Sequence, residues 1–357
     1  MRRRTTPMTV AAGLALMLVS SAALAQYKLT NLDSNQVGKA FNIDPLIVNA
    51  WGLVHGPGSP WWISDENSGW STLYDATGGI KGLKVVIPTT GNGPDVTTGA
   101  NGPGSPTGIV YNATSATGGS DEFQVQGWSS VFLFATTDGT ISGWAPSSNF
   151  NEAIIGVDTK KKSSYTGLAI TNKPSGNFLY AADIANNAVD IYDASFKLVS
   201  SFTDPALPTG FAPFGVRDIN GLVYVTFASV SGGAGGFVEQ FREDGTPVSP
   251  GKPLISGAPL NQPWGIVGAP STFGPFSNTL LISNNTNAGT INAFDPFTGQ
   301  FVGTVRDATR RPIFIDQLWG IDFGDGLGSN GAVNELFFTA GPYNNLAGTF
   351  GVIVFKP

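Results

Sequence analysis

Trp51-Gly52-Leu53-Val54 decides how this chain is read, because the phrase returns five times. It comes back as Thr107-Gly108-Ile109-Val110, Thr166-Gly167-Leu168-Ala169 and Phe214-Gly215-Val216. Trp264-Gly265-Ile266-Val267 and Trp319-Gly320-Ile321 complete the set. Each copy is an aromatic residue or Thr, then Gly, then aliphatic residues. The glycines lie 56, 59, 48, 50 and 55 residues apart. Self-similarity at a fixed period of roughly 20–50 residues marks solenoids, propellers and arrays.

Working outward, each phrase leads to an apolar run of the kind that forms a buried strand. These runs are Trp61 to Asp65, Val131 to Ala135, Phe178 to Asp183, Leu222 to Thr226, Leu280 to Ser283 and Leu336 to Ala340. A third element then alternates with period two, as in Thr290-Ile291-Asn292-Ala293-Phe294-Asp295 and Ala188-Val189-Asp190-Ile191-Tyr192-Asp193. Alternation sends one set of side chains to each face of a strand. Turn signals follow, such as Asp295-Pro296 and Glu243-Asp244-Gly245, and leave room for a fourth strand at Phe301 to Val305.

Three or four strands per unit and six units make an all-β fold, a six-bladed β-propeller. A blade cannot bury both faces alone, so each packs on its neighbours. The last unit runs out at Phe355 after its third strand. The stretch Gln26 to Leu32 has strand character and no blade of its own. It is therefore expected to supply the outer strand of blade six and close the ring, leaving no long unpaired edge there. Residues 26–357 form one propeller domain in this reading. Two tandem sandwiches would also be all-β, but they give no reason for one phrase to recur.

Composition agrees. The chain has 47 Gly and 24 Pro, residues that break helices and make turns, and only 12% charged residues. Residues 1–25 read as a cleaved signal peptide: Arg2-Arg3-Arg4, an apolar run from Val10 to Leu18, and Ala23-Leu24-Ala25 as the cleavage site. A secreted or periplasmic protein follows, with no membrane insertion after cleavage. Removing three Arg and no acid leaves 16 Lys+Arg against 25 Asp+Glu, a net −9. No run of basic residues exceeds Lys160-Lys161-Lys162, so nucleic acid is set aside as a partner. The absence of Cys excludes disulfides, thiolate metal sites and Cys nucleophiles. His55 is the only histidine, so any Ser-His-Asp set must use it and a two-His metal site is impossible. No G-x-S-x-G or Walker motif occurs. No cofactor is expected, and the chain is expected to act as a monomer.

The phrases Asn49-Ala50-Trp51-Gly52-Leu53, Gly176 to Asp183, Pro263-Trp264-Gly265, Ile291 to Pro296 and Phe338 to Pro342 resemble an uncharacterised family of exported bacterial six-bladed propellers. That family is in turn similar to NHL-repeat propellers. The resemblance spans nearly all of residues 26–357 and implies fold and export, without an activity. Gluconolactonase-like propellers also have six blades, and hold a divalent metal through Asn and Asp placed just before the phrase glycine. The matching residues here are Trp51, Thr107, Thr166, Phe214, Trp264 and Trp319. None offers the carboxylate or amide oxygens a hard cation takes. The resemblance therefore does not carry that metal site over.

The ring of residues before the glycines is the sharpest candidate site. Trp51, Phe214, Trp264 and Trp319 are large and aromatic, and Asn49, Gln262 and Gln317 stand two residues upstream of the three Trp. If the inner strands line the axis, these residues converge at one mouth of the channel. Aromatic faces beside amides suit a sugar or planar organic ligand; the same rings could instead plug the axis or pack between blades. A second set, Asp65, Asp183 and Asn285, falls ten residues before Asp75, Asp193 and Asp295. It reads as a carboxylate cluster or as blade-by-blade turn caps. The expected function is binding of a small molecule, glycan or protein on one face of the channel. A lactonase-like hydrolase or lyase with an atypical central site is an alternative, and a cell-envelope scaffold another.

Overall fold

A computed structural model describes residues 26–90, 103–117, 121–171 and 176–357. The expected signal peptide at 1–25 and most of the Gly-rich stretch from Gly91 lie outside the described residues. The inner strands carry the repeated phrase: Ala50–Val54, Pro106–Tyr111, Tyr165–Ile170, Phe211–Ile219, Pro263–Gly268 and Leu318–Phe323. Each heads its own sheet, with the later strands of its unit pairing outward in order and antiparallel. The inner strands touch one another in sequence, and that of blade six returns to that of blade one. The chain is a six-bladed β-propeller.

At the phrase glycine the inner strands of adjacent blades come into close contact. A Cβ on Gly108 would overlap the backbone amide of Leu168 in blade three, and one on Gly215 would overlap the Trp264 carbonyl in blade five. Second-strand hydroxyls stitch the same contact. Ser283 Oγ accepts from the Gly265 amide at 2.8 Å and donates to the Trp319 carbonyl of the next blade at 2.6 Å. Thr339 does the same between Gly320 and Trp51.

The continuous apolar runs have a simple cause: each second strand is covered on both faces. Trp61 packs into the cluster between blades six and one, and its neighbour Trp62 into the cluster between blades one and two. Phe337 and Phe338 divide in the same way. Among the described residues, the six blade interfaces hold six hydrophobic clusters, and a seventh sits on the axis. The longest glycine spacing, from Gly108 to Gly167, accommodates a small extra hairpin, Gln124–Val125 with Trp128–Ser129.

Ring closure follows the sequence expectation. Gln26–Ser34 pairs antiparallel with Thr349–Lys356, Tyr27 opposite Phe355 and Leu29 opposite Ile353. Tyr27 stacks on Phe276 and packs at a tilt against Phe273 and Phe355, and its hydroxyl donates to the Phe273 carbonyl at 2.7 Å. A two-residue strand, Asn42–Ile43, adds in parallel beyond it.

Candidate functional site

The inner strands begin at one face of the ring and end at the other, which gives the axis two different ends. At the first, Trp51, Phe214, Trp264 and Trp319 converge as the repeat spacing implied. They meet one another. Trp51 and Trp319 stack with centroids 3.7 Å apart, and Trp264 meets both edge-on at 6.3 and 5.9 Å. Phe214 packs against Trp51 and Trp319. Trp51, Phe214 and Trp319 are buried; Trp264 is partly exposed. Blades two and three contribute Thr107 and Thr166, which leave room for rings from the other side. The Trp264 Nε1 reaches over to donate to the Thr166 carbonyl at 2.8 Å. Four rings therefore floor the channel.

The amides beside them serve the loops. Asn49 accepts from Trp319 Nε1 at 2.8 Å and donates to Glu66 at 2.9 Å. Gln262 donates to the carbonyls of Ser229 and Gly233, and Gln317 to Asn287 Oδ1. All three residues have positive φ, near +50°. Non-glycine residues are uncommon there, and Asn is among the types that enter it most readily. The amides are thus turn residues that hold the rim of the floor.

The Asp65, Asp183 and Asn285 set resolves into separate roles. Asp183 accepts from the Ser164 and Ala185 amides and caps its own turn. Asp65 is fully buried and accepts from Thr72 Oγ1 at 2.6 Å. The equivalent residue in blade five is Asn284, which accepts from the Asn261 amide. The turn after Asn284 is one residue longer than its counterparts, which displaces the ten-residue count onto Asn285. Among the described residues, no three His, Cys, Asp or Glu gather as a metal site.

Above the aromatic floor the channel opens into a cavity of about 310 Å³. Its walls are Ile109, Leu168, Ile170, Val216, Ile266 and Ile321, with the Trp264 ring at the base. The far ends of the inner strands bring a polar rim of His55, Tyr111, Arg217, Asp218 and Asp322. Arg217 of blade four donates to Asp322 of blade six at 2.8 Å, across one intervening blade. The Arg217 side chain remains 36% exposed, so it can still meet a ligand.

His55 is a tie between blades. Its Nε2 lies 3.0 Å from the Phe323 carbonyl of blade six, and its Nδ1 lies 3.1 Å from both the Gly56 carbonyl and Asn330 Nδ2. Asp325 lies 3.6 Å away. Burial alone would raise the Asp325 carboxyl, but hydrogen bonds from the Gly58 and Leu327 amides and from Asn330 bring it below its ordinary value. Tyr111, at the rim of the cavity, is pushed up by burial.

The ion pair has a signal in the repeat that the aromatic ring overshadowed. Two residues after each phrase glycine stand Val54, Val110, Ala169, Arg217, Val267 and Asp322. Four are aliphatic or small, and the two exceptions have opposite charges.

No family model matches the chain. An uncharacterized protein of Acanthamoeba polyphaga mimivirus is 28% identical over 358 residues, covering 93% of this chain and 81% of its own. Among solved structures, a streptogramin B lyase superposes with a TM-score of 0.55 at 12% identity, covering 94% of this chain and all of that one. A glucose dehydrogenase gives 0.57 at 10% identity, covering 92% and 100%. The likeness to both is one of fold. At such identities activity does not travel with architecture.

Proposed function

We propose that this propeller binds a small organic molecule in the half-channel between the aromatic floor and the Arg217–Asp322 pair, without transforming it. One observation carries the reading: the axis is closed at one end by four packed rings and crossed at the other by an ion pair. Apolar walls with a few polar groups at the rim are the usual make-up of a small-molecule pocket, and the cavity volume stands at the low end of the roughly 300–1,000 Å³ range. The ligand would place an apolar body against Ile109, Leu168 and Ile266, and a polar or ionic head at Arg217. Trp264, one of the aromatic residues singled out from the repeat, would contact its deep end. Membership of the NHL-like group and export through residues 1–25 belong to the same proposal. N-terminal sequencing of the secreted product, starting at Gln26, is the expected check on export.

The test is a thermal-shift and tryptophan-fluorescence screen of small amphiphilic acids, amines and sugars. Hits should bind at least tenfold more weakly to Arg217→Met and change Trp264 emission. Hits indifferent to Arg217→Met, Asp322→Asn and Trp264→Phe would place binding elsewhere. Turnover of a lactone or ester that vanishes in the same variants would replace binding with hydrolysis.

A further inference from the structure

On the outside of the ring, strand Gln26–Ser34 is the outermost long strand of blade six. Its Tyr27 amide points away from the sheet, donating to the Arg306 carbonyl at 3.0 Å. Alternation along a strand sends the amides of Leu29 and Asn31 the same way. Among the described residues, neither of those backbone amides makes a hydrogen bond outside the sheet. Beside this edge runs a groove of about 730 Å³ between residues 26–29 and the segment 307–314. A smaller hollow of about 230 Å³ continues it past Leu29 and Asn31.

The groove has an apolar floor and a cationic rim. Tyr27, Leu29, Ile313 and Phe314 line it, and Phe314 is 59% exposed. Lys28, Arg311 and Lys356 stand around it, and none pairs with a carboxylate among the described residues. Asp307, the acid at its edge, feels the Arg311 charge but forms no salt bridge with it and is held in its own turn: it accepts from the Thr309 amide and hydroxyl and from the Arg311 amide. A chain of net −9 over residues 26–357 thus gathers cations from three distant stretches at one open strand edge.

We propose that this edge takes an extended acidic segment of a partner protein as an added strand. Backbone groups of Leu29 and Asn31 would pair with the incoming strand. Its alternate apolar side chains would enter the groove over Leu29 and Phe314, and its carboxylates would meet Lys28, Arg311 and Lys356. Strand addition draws affinity from main-chain hydrogen bonds and specificity from alternate side-chain pockets. Charge selects the occupant. Residues 1–25 carry three Arg and no acid, so that stretch of the chain has the wrong sign.

The experiment pans a random decapeptide display library on the purified full chain and measures the enriched peptides by fluorescence anisotropy. Enriched peptides should interleave Asp or Glu with Leu, Ile or Phe. Lys28→Glu with Arg311→Glu should weaken them at least tenfold, whereas Lys161→Glu with Lys162→Glu should leave them unchanged. Methylating alternate peptide amides should abolish binding, and affinity should fall with added salt. Circular dichroism and melting temperature should match the parent in each variant, since all the substituted side chains are exposed. The proposal is overturned if no peptide depends on the groove cations, if amide methylation is tolerated, or if oligo-dT or laurate displaces the peptides equally well. Because the channel is not involved, none of these outcomes bears on Arg217 and Asp322.

Discussion

At the scale of the residue, the phrase glycine shows how a repeat becomes legible. Its absent Cβ is demanded by the next blade, so the same residue type must return once per blade. Gly215→Ala would press a methyl group onto the Trp264 carbonyl, and Gly108→Ala one onto the Leu168 amide. Neither neighbour is the flexible end of a side chain, so the inner strands themselves must shift. Each substitution should cost about 1–3 kcal/mol, the usual range for overpacking. Gly268 ends the inner strand of blade five, has no positive φ, and has open space for 4 Å around the place a methyl group would take. Gly268→Ala should stay within about 0.5 kcal/mol of the parent, as surface changes usually do. Urea midpoints for the three variants check this, and equal losses at all three would sink the account.

At the scale of the element, blade four carries a polar residue that its strand pattern did not announce. Glu239, on Phe237–Phe241, is buried with no N–H or O–H donor on either carboxylate oxygen, and Asp204 faces it from the preceding connection, so the two can bond only by sharing a proton. Burial, and then Asp204, push the Glu239 carboxyl up to about 8. Asp33, on the closing strand, is pushed to about 7 by burial and by Asp44, with the nearby Asn42 amide, which donates to the Leu32 and Gly78 carbonyls, offsetting only part of this. Both folded values exceed the unfolded ones, so the folded chain binds more protons than the unfolded chain across the gap. Their contribution is complete below about pH 4, declines as pH rises, and is lost through about pH 7 to 8. The urea midpoint should therefore fall between pH 5.5 and 8.5, and Glu239→Gln should flatten that slope. Asp75 opposes this at the acid end. Burial would raise it, but Lys81, Thr77 and the Gly79 amide together hold it well below the carboxylate range. A parent midpoint that is level or rises over the alkaline interval would refute the assignment. Such groups were illegible because alternation puts Glu239 on the same strand face as Phe237 and Phe241 and does not say what a carboxylate meets there. What buries it is the connection carrying Asp204, distant in sequence. The aromatic ring was half legible for a related reason: the spacing placed Trp51, Phe214, Trp264 and Trp319 together. Whether they face a ligand or each other depends on the width of the axis, which no single strand encodes.

At the scale of the whole molecule, the ring converts local pairing into global stability. Away from the axis, where the aromatic rings and the Arg217–Asp322 pair reach across the channel, each blade packs on its neighbours as in other repeat folds, and the contact of blade six with blade one removes the free ends. Strand Gln26–Ser34 secures that junction, burying Tyr27 between blades five and six and Leu32 between blades six and one. Burying two such side chains is worth about 1.5–3 kcal/mol each. A chain starting at residue 35 should therefore lose about 3–6 kcal/mol and unfold over a broader urea range, because the opened edge lets blades peel from one side. A synthetic peptide of residues 26–34 supplied in excess should restore part of the loss, about 2.7 kcal/mol at a hundredfold excess over its dissociation constant. An unchanged midpoint in the truncated chain would mean that the inner strands hold the ring unaided. A shifted midpoint without rescue would mean that the strand must be covalently joined to act. Rescue by the peptide but not by one with Tyr27→Ala and Leu32→Ala would locate the closure energy in the two buried side chains rather than in the ladder of backbone hydrogen bonds.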